Sequence, residues 1–412
     1  MKRAARILVN LGLAVFSAFL TFQAVALLDV IAGWVTPERN WPGPSGLLFI
    51  PGSEDHYEMH DYTCSDYINS LGFRDREFSP QKGSAIRAVA IGDSFTYGWG
   101  VNIEDAWCKR LEANLRRQGM DIEILNLGKP AAGPREYARI AEYAIPRLKP
   151  DLVILCVLAG EDLPQLGDSG SFDPENYIKD KYPNILRLIQ HLRQRESLNQ
   201  TPTPPKRTSA DSRQWYAATA QEIVNGMPAA QRARFDALEA SVKEAFFQGK
   251  LNPWMIGQAT ASPEYFMNTL KQEDVRVQIR RLEKSLGRIR KASARTGARL
   301  VALTIPEGFY VNKEAYRNVG RIGFQAVPEM MGFDAPDLAV GEACRRAGIT
   351  SFHSVSEEFL RHAEEPGLYF EFDRHMTAAG NALYAELLTP IIAEEVRNIQ
   401  PRRAVTSEPE QQ

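Results

Sequence analysis

Histidine and cysteine are scarce in this chain, and positive charge has no surplus. The 412 residues include six histidines and four cysteines, Cys64, Cys108, Cys156 and Cys344. No two cysteines form a Cys-x-x-Cys pair, which argues against a structural zinc site, and four are too few for a disulfide scaffold. Lys and Arg number 49 against 51 Asp and Glu, for a formal net charge of −2. Such a chain lacks the overall positive field that non-specific nucleic-acid binding needs. Only one long apolar run is present, at the N-terminus, so a multi-span membrane protein is excluded. What remains is ordinary globular composition, 44 % hydrophobic and 24 % charged, long enough for one large domain or two ordinary ones.

The apolar run follows Met1–Arg6 (MKRAAR), which carries three positive charges. From Ile7 to Leu28 there is no charge, and as a helix at 1.5 Å per residue this stretch spans roughly 33 Å, enough to cross a bilayer. Positive residues ahead of it place its start in the cytoplasm and the body outside. A cleaved signal peptide is the alternative, with small residues at Ala24-Val25-Ala26, but the run is longer than an ordinary signal core. Residues 1–35 therefore read as a single-pass inner-membrane anchor or signal peptide, with the body in the periplasm or exterior. In an oxidising compartment Cys64 and Cys108 are candidates for pairing, while Cys156, in an apolar run, reads as core.

Residues 36–66, rich in Pro, Gly, Tyr and charge, read as a linker and irregular lead-in. A strand–helix alternation then begins. Strands are expected at 86–91, 122–125, 151–158, 299–304 and 349–352, and helices at 104–117, 135–148, 275–295, 335–347 and 376–398. The run Asp151–Leu158 (DLVILCVL) is nearly all apolar, as in a strand buried on both faces of a parallel sheet. The order β-α-β-α-β argues for a parallel sheet with helices on both faces. Residues 163–270 interrupt it, with Thr201-Pro202-Thr203-Pro204-Pro205 as an exposed loop and helical segments near 211–225 and 228–249. This insertion follows the third strand and reads as a cap over the strand ends, or as a stabilising appendage. Residues 401–412 read as a disordered tail.

The chemistry centres on Gly92-Asp93-Ser94, directly after the first of these strands. In an open parallel sheet ligands sit beyond the carboxyl ends of the strands, and Ser94 lies at such an end on a Gly-bearing turn. A turn or helix-cap serine is the plain alternative. A serine hydroxyl needs a base. His375 in Asp373-Arg374-His375 is the leading candidate, because it follows the last strand and precedes a helix. Asp373 can turn back to accept the Nδ1 proton, leaving Nε2 to take the proton of Ser94. His353, at the end of the last strand, is the next candidate. His56, His60, His191 and His362 read as surface residues, and the pairs Asp55-His56 and His60-Asp61 lack a helical metal-binding spacing. After the second strand, Gly128 in Asn126-Leu127-Gly128 offers a backbone N–H as an oxyanion donor beside that of Ser94, or serves a tight turn. The third strand ends at Ala159-Gly160-Glu161-Asp162.

This succession resembles the SGNH (GDSL-type) hydrolases: Gly-Asp-Ser, a Gly after the second strand, Gly-x-Asp after the third and Asp-x-His near the C-terminus. The stretch Tyr67–Asp75 (YINSLGFRD) is similar to the lead-in of their membrane-anchored bacterial members. The resemblance covers about residues 67–162 and 299–395 and leaves the insertion outside. It implies a three-layer α/β/α sandwich with a central parallel sheet, the flavodoxin-like SGNH hydrolase fold, over residues 67–400. It further implies Ser94 as nucleophile, His375 as base, Asp373 as orienting acid, and Ser94 and Gly128 N–H groups in the oxyanion hole. That family's third block carries Asn as a side-chain donor, and here Glu161 stands in its place. An ionised carboxylate donates nothing. The expectation is therefore that burial keeps Glu161 protonated so that it donates, the alternative being a site weakened or turned to binding.

The function expected is an extracytoplasmic serine esterase hydrolysing or transferring an acyl group on a carbohydrate or cell-envelope ester. It needs no metal and no organic cofactor; its partners are the ester substrate and the membrane, with no nucleic acid. The rivals are a catalytically weak polysaccharide-binding or O-acetyltransferase-related envelope protein, favoured by Glu161, and a structural partner acting through residues 163–270.

Overall fold

A row of strands whose side chains are buried on both faces must be covered by helices on both faces, and that requirement organises this chain. The computed structural model describes residues 2–35, 48–167, 182, 185, 188–189, 204–266 and 272–406. The strands are β1 (Glu54–Glu58), β2 (Thr63–Tyr67), β3 (Ile86–Ile91), β4 (Ile122–Asn126), β5 (Leu152–Val157), β6 (Lys206–Arg207), β7 (Arg299–Thr304) and β8 (Ser351–His353). Two compact units are formed, one from Met1–Leu48 with Ser169–Thr203, the other from Phe49–Asp168 with Pro204–Gln412.

In the larger unit five strands form one sheet in the order β4-β3-β5-β7-β8, every neighbouring pair parallel. Every residue of β3 and of β5 is buried. The chain steps from β3 to β4 on one side and returns to β5 on the other, so β3 and β5 flank the point where strand order reverses, the usual ligand crevice of an open α/β sheet. Right-handed crossovers put the helices on opposite faces. Helix Trp107–Arg117 packs against the C-terminal helix Ala378–Thr406, with the Trp107 indole edge-on to Tyr384 at 5.5 Å. Helix Gln272–Thr296 packs against Pro134–Leu148 and Ala335–Ala347. Several element boundaries differ from the sequence reading. The last helix continues past Pro401 to Thr406, into the segment expected to be disordered; residues 407–412 lie outside the described residues.

The lead-in is not irregular. β1 and β2 form an antiparallel hairpin, and β6, from the insertion, adds to β1 in parallel. Behind it, Arg74 is buried and ion-paired with Asp66 at 2.6 Å. Its guanidinium also donates to the carbonyls of Tyr97, Gly98 and Val101, at 2.8, 3.1 and 2.5 Å. Asp75 Oδ2 accepts from the Asn126 N–H at 2.8 Å and from Lys109 Nζ at 2.9 Å. The Phe73-Arg74-Asp75 segment thus ties the hairpin to the turn after β3 and to the end of β4.

The described part of the insertion carries helices Ser209–Asn225, Ala229–Asp236, Ala240–Phe247 and Pro253–Ala261; the second expected segment is two helices, and the last was not expected. Most of 163–203 lies outside the described residues. All four cysteines are free and buried. Cys64 packs with Tyr57, Tyr62 and Phe370, whereas Cys108 belongs to the core between sheet and helices, so the candidate pairing of the two is not made.

In the smaller unit helix Lys2–Val35 contains Gly12–Ala32, 21 residues long and apolar enough to cross a membrane by length and composition. Phe16, Phe19 and Leu20 on it are more than half exposed. Asp29 accepts the Ile185 N–H at 2.8 Å.

Candidate active site

Ser94 opens the short helix Ser94–Tyr97 just beyond β3. Asp93 caps that helix, its Oδ1 accepting the Phe95 N–H at 3.0 Å. Gly92 makes the turn possible: a Cβ there would lie 2.2 Å from Thr96 Oγ1 and 3.1 Å from the Cys156 carbonyl oxygen. Ser94 is partly exposed although its neighbours are buried. Its backbone N–H makes no hydrogen bond within the described residues.

From the far end of the chain, His375 Nε2 stands 2.7 Å from Ser94 Oγ. His375 Nδ1 meets Asp373 Oδ1, and the same nitrogen is 3.0 Å from the Asp373 carbonyl oxygen. A carboxylate only accepts, so Nδ1 carries the proton and Nε2 is free to accept from the serine hydroxyl. The other Asp373 oxygen accepts from Tyr62 Oη and from Trp99 Nε1, each at 3.4 Å. Phe95 and Trp99 pack on the imidazole at 4.7 and 6.1 Å between ring centres. Burial pulls the imidazole pKa down, and the Asp373 carboxylate more than offsets this, leaving it above the ordinary histidine value.

Arg374, between the two, adopts a left-handed backbone with φ 59°. Its Nη2 donates to Glu161 Oε2 at 3.0 Å and its Nη1 to Glu307 Oε1 at 2.6 Å. The guanidinium carbon lies 4.6 Å from the centre of the Phe266 ring. Glu161 lies in the first turn of the helix Ala159–Gly167 that follows β5, and Glu307 in the loop after β7. Every group named so far stands at the carboxyl edge of the sheet. Burial raises the Glu307 pKa to about 7 against the pull of Arg374, and burial, with the Glu161 charge adding to it, raises that of Asp93.

Two expected oxyanion donors are placed differently. Glu161 Oε2 accepts from Arg374 Nη2 in an ion pair. The Gly128 N–H is already bonded to Asn126 Oδ1 at 2.9 Å. Gly128 serves close packing instead, since a Cβ there would sit 2.1 Å from the Tyr97 nitrogen. Of the three expected donors, only the Ser94 N–H is unengaged. Asp162, next to Glu161, is structural: Tyr137 Oη and the Leu158 N–H donate to it at 3.1 and 3.0 Å.

His353 Nε2 lies 3.3 Å from Ser351 Oγ on β8, and the imidazole that meets Ser94 is that of His375. His56, His60 and His362 have well-exposed side chains, and His191 lies outside the described residues. His60, Asp61 and Glu371 each offer a ligand atom within 4.8 Å of the others, a grouping the His60-Asp61 pair alone did not reveal. Protein donors already hold both acids there: Asp61 Oδ2 accepts the Phe372 N–H at 2.8 Å, and Glu371 Oε1 pairs with Arg321. Arg374, Glu307, Tyr62 and Trp99 were not singled out from the sequence as site residues. A cation inside Asp-x-His was the one visible sign of Arg374.

Residues 90–269 match the model of the GDSL-like Lipase/Acylhydrolase family. The chain carries a GDSL-like lipase/acylhydrolase domain. On that match it is a hydrolase acting on ester bonds. The matched stretch takes in Ser94, Gly128 and Glu161 and ends before Asp373 and His375. No curated protein matches the chain. Among solved structures, the lipase/acylhydrolase from Enterococcus faecalis is similar at 11% identity over 75% of this chain and 96% of that one, TM-score 0.33. A catalytic mutant of an acetylxylan esterase from Geobacillus stearothermophilus is similar at 11% identity, over 76% and 95%, TM-score 0.35. The acylhydrolase domain here differs from the pattern expected of its family in the Glu161–Arg374 pair.

Proposed function

We propose that this acylhydrolase is a serine esterase in which Ser94 is the nucleophile, His375 the general base and Asp373 the acid that orients it. The observation that carries the reading is the 2.7 Å contact between His375 Nε2 and a partly exposed Ser94 Oγ, with Nδ1 held by a carboxylate. Ser94 Oγ attacks the ester carbonyl while Nε2 takes its proton, and the negative charge on the carbonyl oxygen is met by the free Ser94 N–H. His375 returns the proton to the departing alcohol. Water, or a sugar hydroxyl in a transfer reaction, then attacks the acyl-enzyme with His375 again as base. No step needs a metal or an organic cofactor.

The N-terminal apolar helix, preceded by Lys2, Arg3 and Arg6, supports an inner-membrane anchor with the domain on the periplasmic or outer side. In that compartment an acyl ester on a carbohydrate or another envelope molecule is the substrate this reading favours. The cap reading of 163–270 belongs to the same proposal, and its test is the acceptor preference of a chain lacking that segment.

The reading is tested with the full chain in detergent and a short-chain aryl ester. Ser94→Ala is expected to reduce turnover to the uncatalysed level, and turnover surviving that substitution would overturn the assignment.

A further inference from the structure

The charge cluster behind the catalytic histidine is not needed to orient it, since Asp373, Tyr62 and Trp99 already do so. The cluster is also a poor stabilising device. The Arg374 and Glu307 side chains are only 9 % and 2 % exposed, and Arg374 Nε and Glu307 Oε2 are buried with no hydrogen-bond partner among the described residues. Buried ion pairs with unmet donors and acceptors rarely stabilise a fold better than apolar residues of the same size. Arg374 also holds a left-handed backbone without being glycine, which is strained. An arrangement this unfavourable calls for a reason at the site.

Glu161 supplies the reason. Glu161 follows β5 and Ser94 follows the neighbouring parallel strand β3, so the carboxylate stands at the rim where Ser94 stands. Acyl transfer builds negative charge on the substrate oxygen at that rim, and an uncompensated carboxylate there opposes it. Arg374 is the cation paired with Glu161, and its planar fork reaches Glu161 and Glu307 together.

Taking Ser94 as the nucleophile, as proposed above, we infer that Arg374 is a positioning residue whose charge cancels that of Glu161 beside the reacting serine. The two act as one unit: the Glu161 charge is tolerated at the rim only while Arg374 is paired with it. The same charge bears on the base. Arg374 lowers the proton affinity of His375, Asp373 and Asp93 raise it, and Glu307 also interacts with the imidazole. Losing Arg374 alone therefore makes His375 hold its proton to higher pH, and losing Glu161 as well reverses part of that change.

The test is a double-mutant cycle on the full chain in detergent, read as kcat and KM for an uncharged aryl acetate across pH. Arg374→Met is expected to lower kcat about 10²-fold, the scale of losing one electrostatic stabiliser of the oxyanion. Its KM stays near wild type, and the acid limb of kcat/KM moves to higher pH. Glu161→Gln is expected to raise kcat severalfold. Arg374→Met with Glu161→Gln is expected to recover most of the lost rate and return the limb toward its original position. A double variant as slow as Arg374→Met, or an acid limb that Arg374→Met does not move, overturns the inference, because a mere structural latch would behave that way. Thermal melts check folding. Should Arg374→Met fail to fold, Arg374→Lys decides: a limb at the wild-type pH with the rate within about 10-fold upholds the charge role. A loss of about 10² despite the retained charge overturns it. Ser94→Ala in the same assay separates the two levels. If it leaves turnover intact, the esterase reading itself falls; if it abolishes turnover while the cycle shows no coupling, only the role of Arg374 falls.

Discussion

Two buried arginines flank the meeting of Ser94 with His375, and they are held in opposite ways. Arg74 is paired with one carboxylate, and its remaining donors meet backbone carbonyls of the turn that follows Ser94. Arg374 faces two carboxylates and stands on a strained backbone. The first arrangement neutralises one charge and closes off polar groups, as a structural tie should. The second concentrates charge, and it does so directly beside His375. One carboxylate faces the arginine of the frame, and two face the arginine beside His375.

The largest effect expected lies between the two arginines. Asp373→Asn should lower kcat about 10⁴-fold, because the amide can present its N–H to Nδ1 and fix the wrong tautomer. The residual activity should titrate with an acid limb at lower pH, since Asp373 is what lifts the His375 pKa. Stopped assays at saturating ester across pH read both. Next comes Arg74→Met, which leaves Asp66 buried without its cation and should cost about 3–5 kcal/mol in denaturant titration. Its effect on KM should be small so long as the protein is folded. A stability loss below about 1 kcal/mol would erase the contrast between the two arginines.

The smallest effect sharpens the same contrast through pH. The Glu307 pKa is raised from an ordinary carboxylate value to about 7 in the folded chain. Between those values the folded state keeps a proton that the unfolded state has released, so this group makes stability fall as pH rises from about 4.5 to 7. Glu307→Gln should flatten the dependence of Tm on pH across that window, and an unchanged slope would show that the carboxyl is not protonated there.

Much of the frame was legible because it rests on periodicity. β3, β5 and β7 are short apolar runs, and a strand buried on both faces has no other sequence form. β1 and β2 escaped notice because their sequences, EDHYE and TCSDY, are polar: a hairpin covered on one side mixes exposed and buried positions. Ser94, Asp373 and His375 were legible because each follows a strand that the pattern already located, and the sheet carries strand ends to one edge. Gly128 and Glu161 were found by the same logic, but their partners were not. Position at an edge does not say which N–H is already bonded to Asn126, or which carboxylate already faces a guanidinium. The partners of Arg374 lie at residues 161 and 307, in separate crossovers, and no local pattern announces such a meeting.

The central claim, that Ser94 is a nucleophile made reactive by His375, is tested most directly by intact-mass spectrometry after treating the full chain with a fluorophosphonate. The account predicts a single covalent adduct, mapped to Ser94, absent in Ser94→Ala and formed far more slowly in His375→Ala. An adduct that persists in Ser94→Ala, or that forms on Ser94 at the same rate without His375, would contradict it.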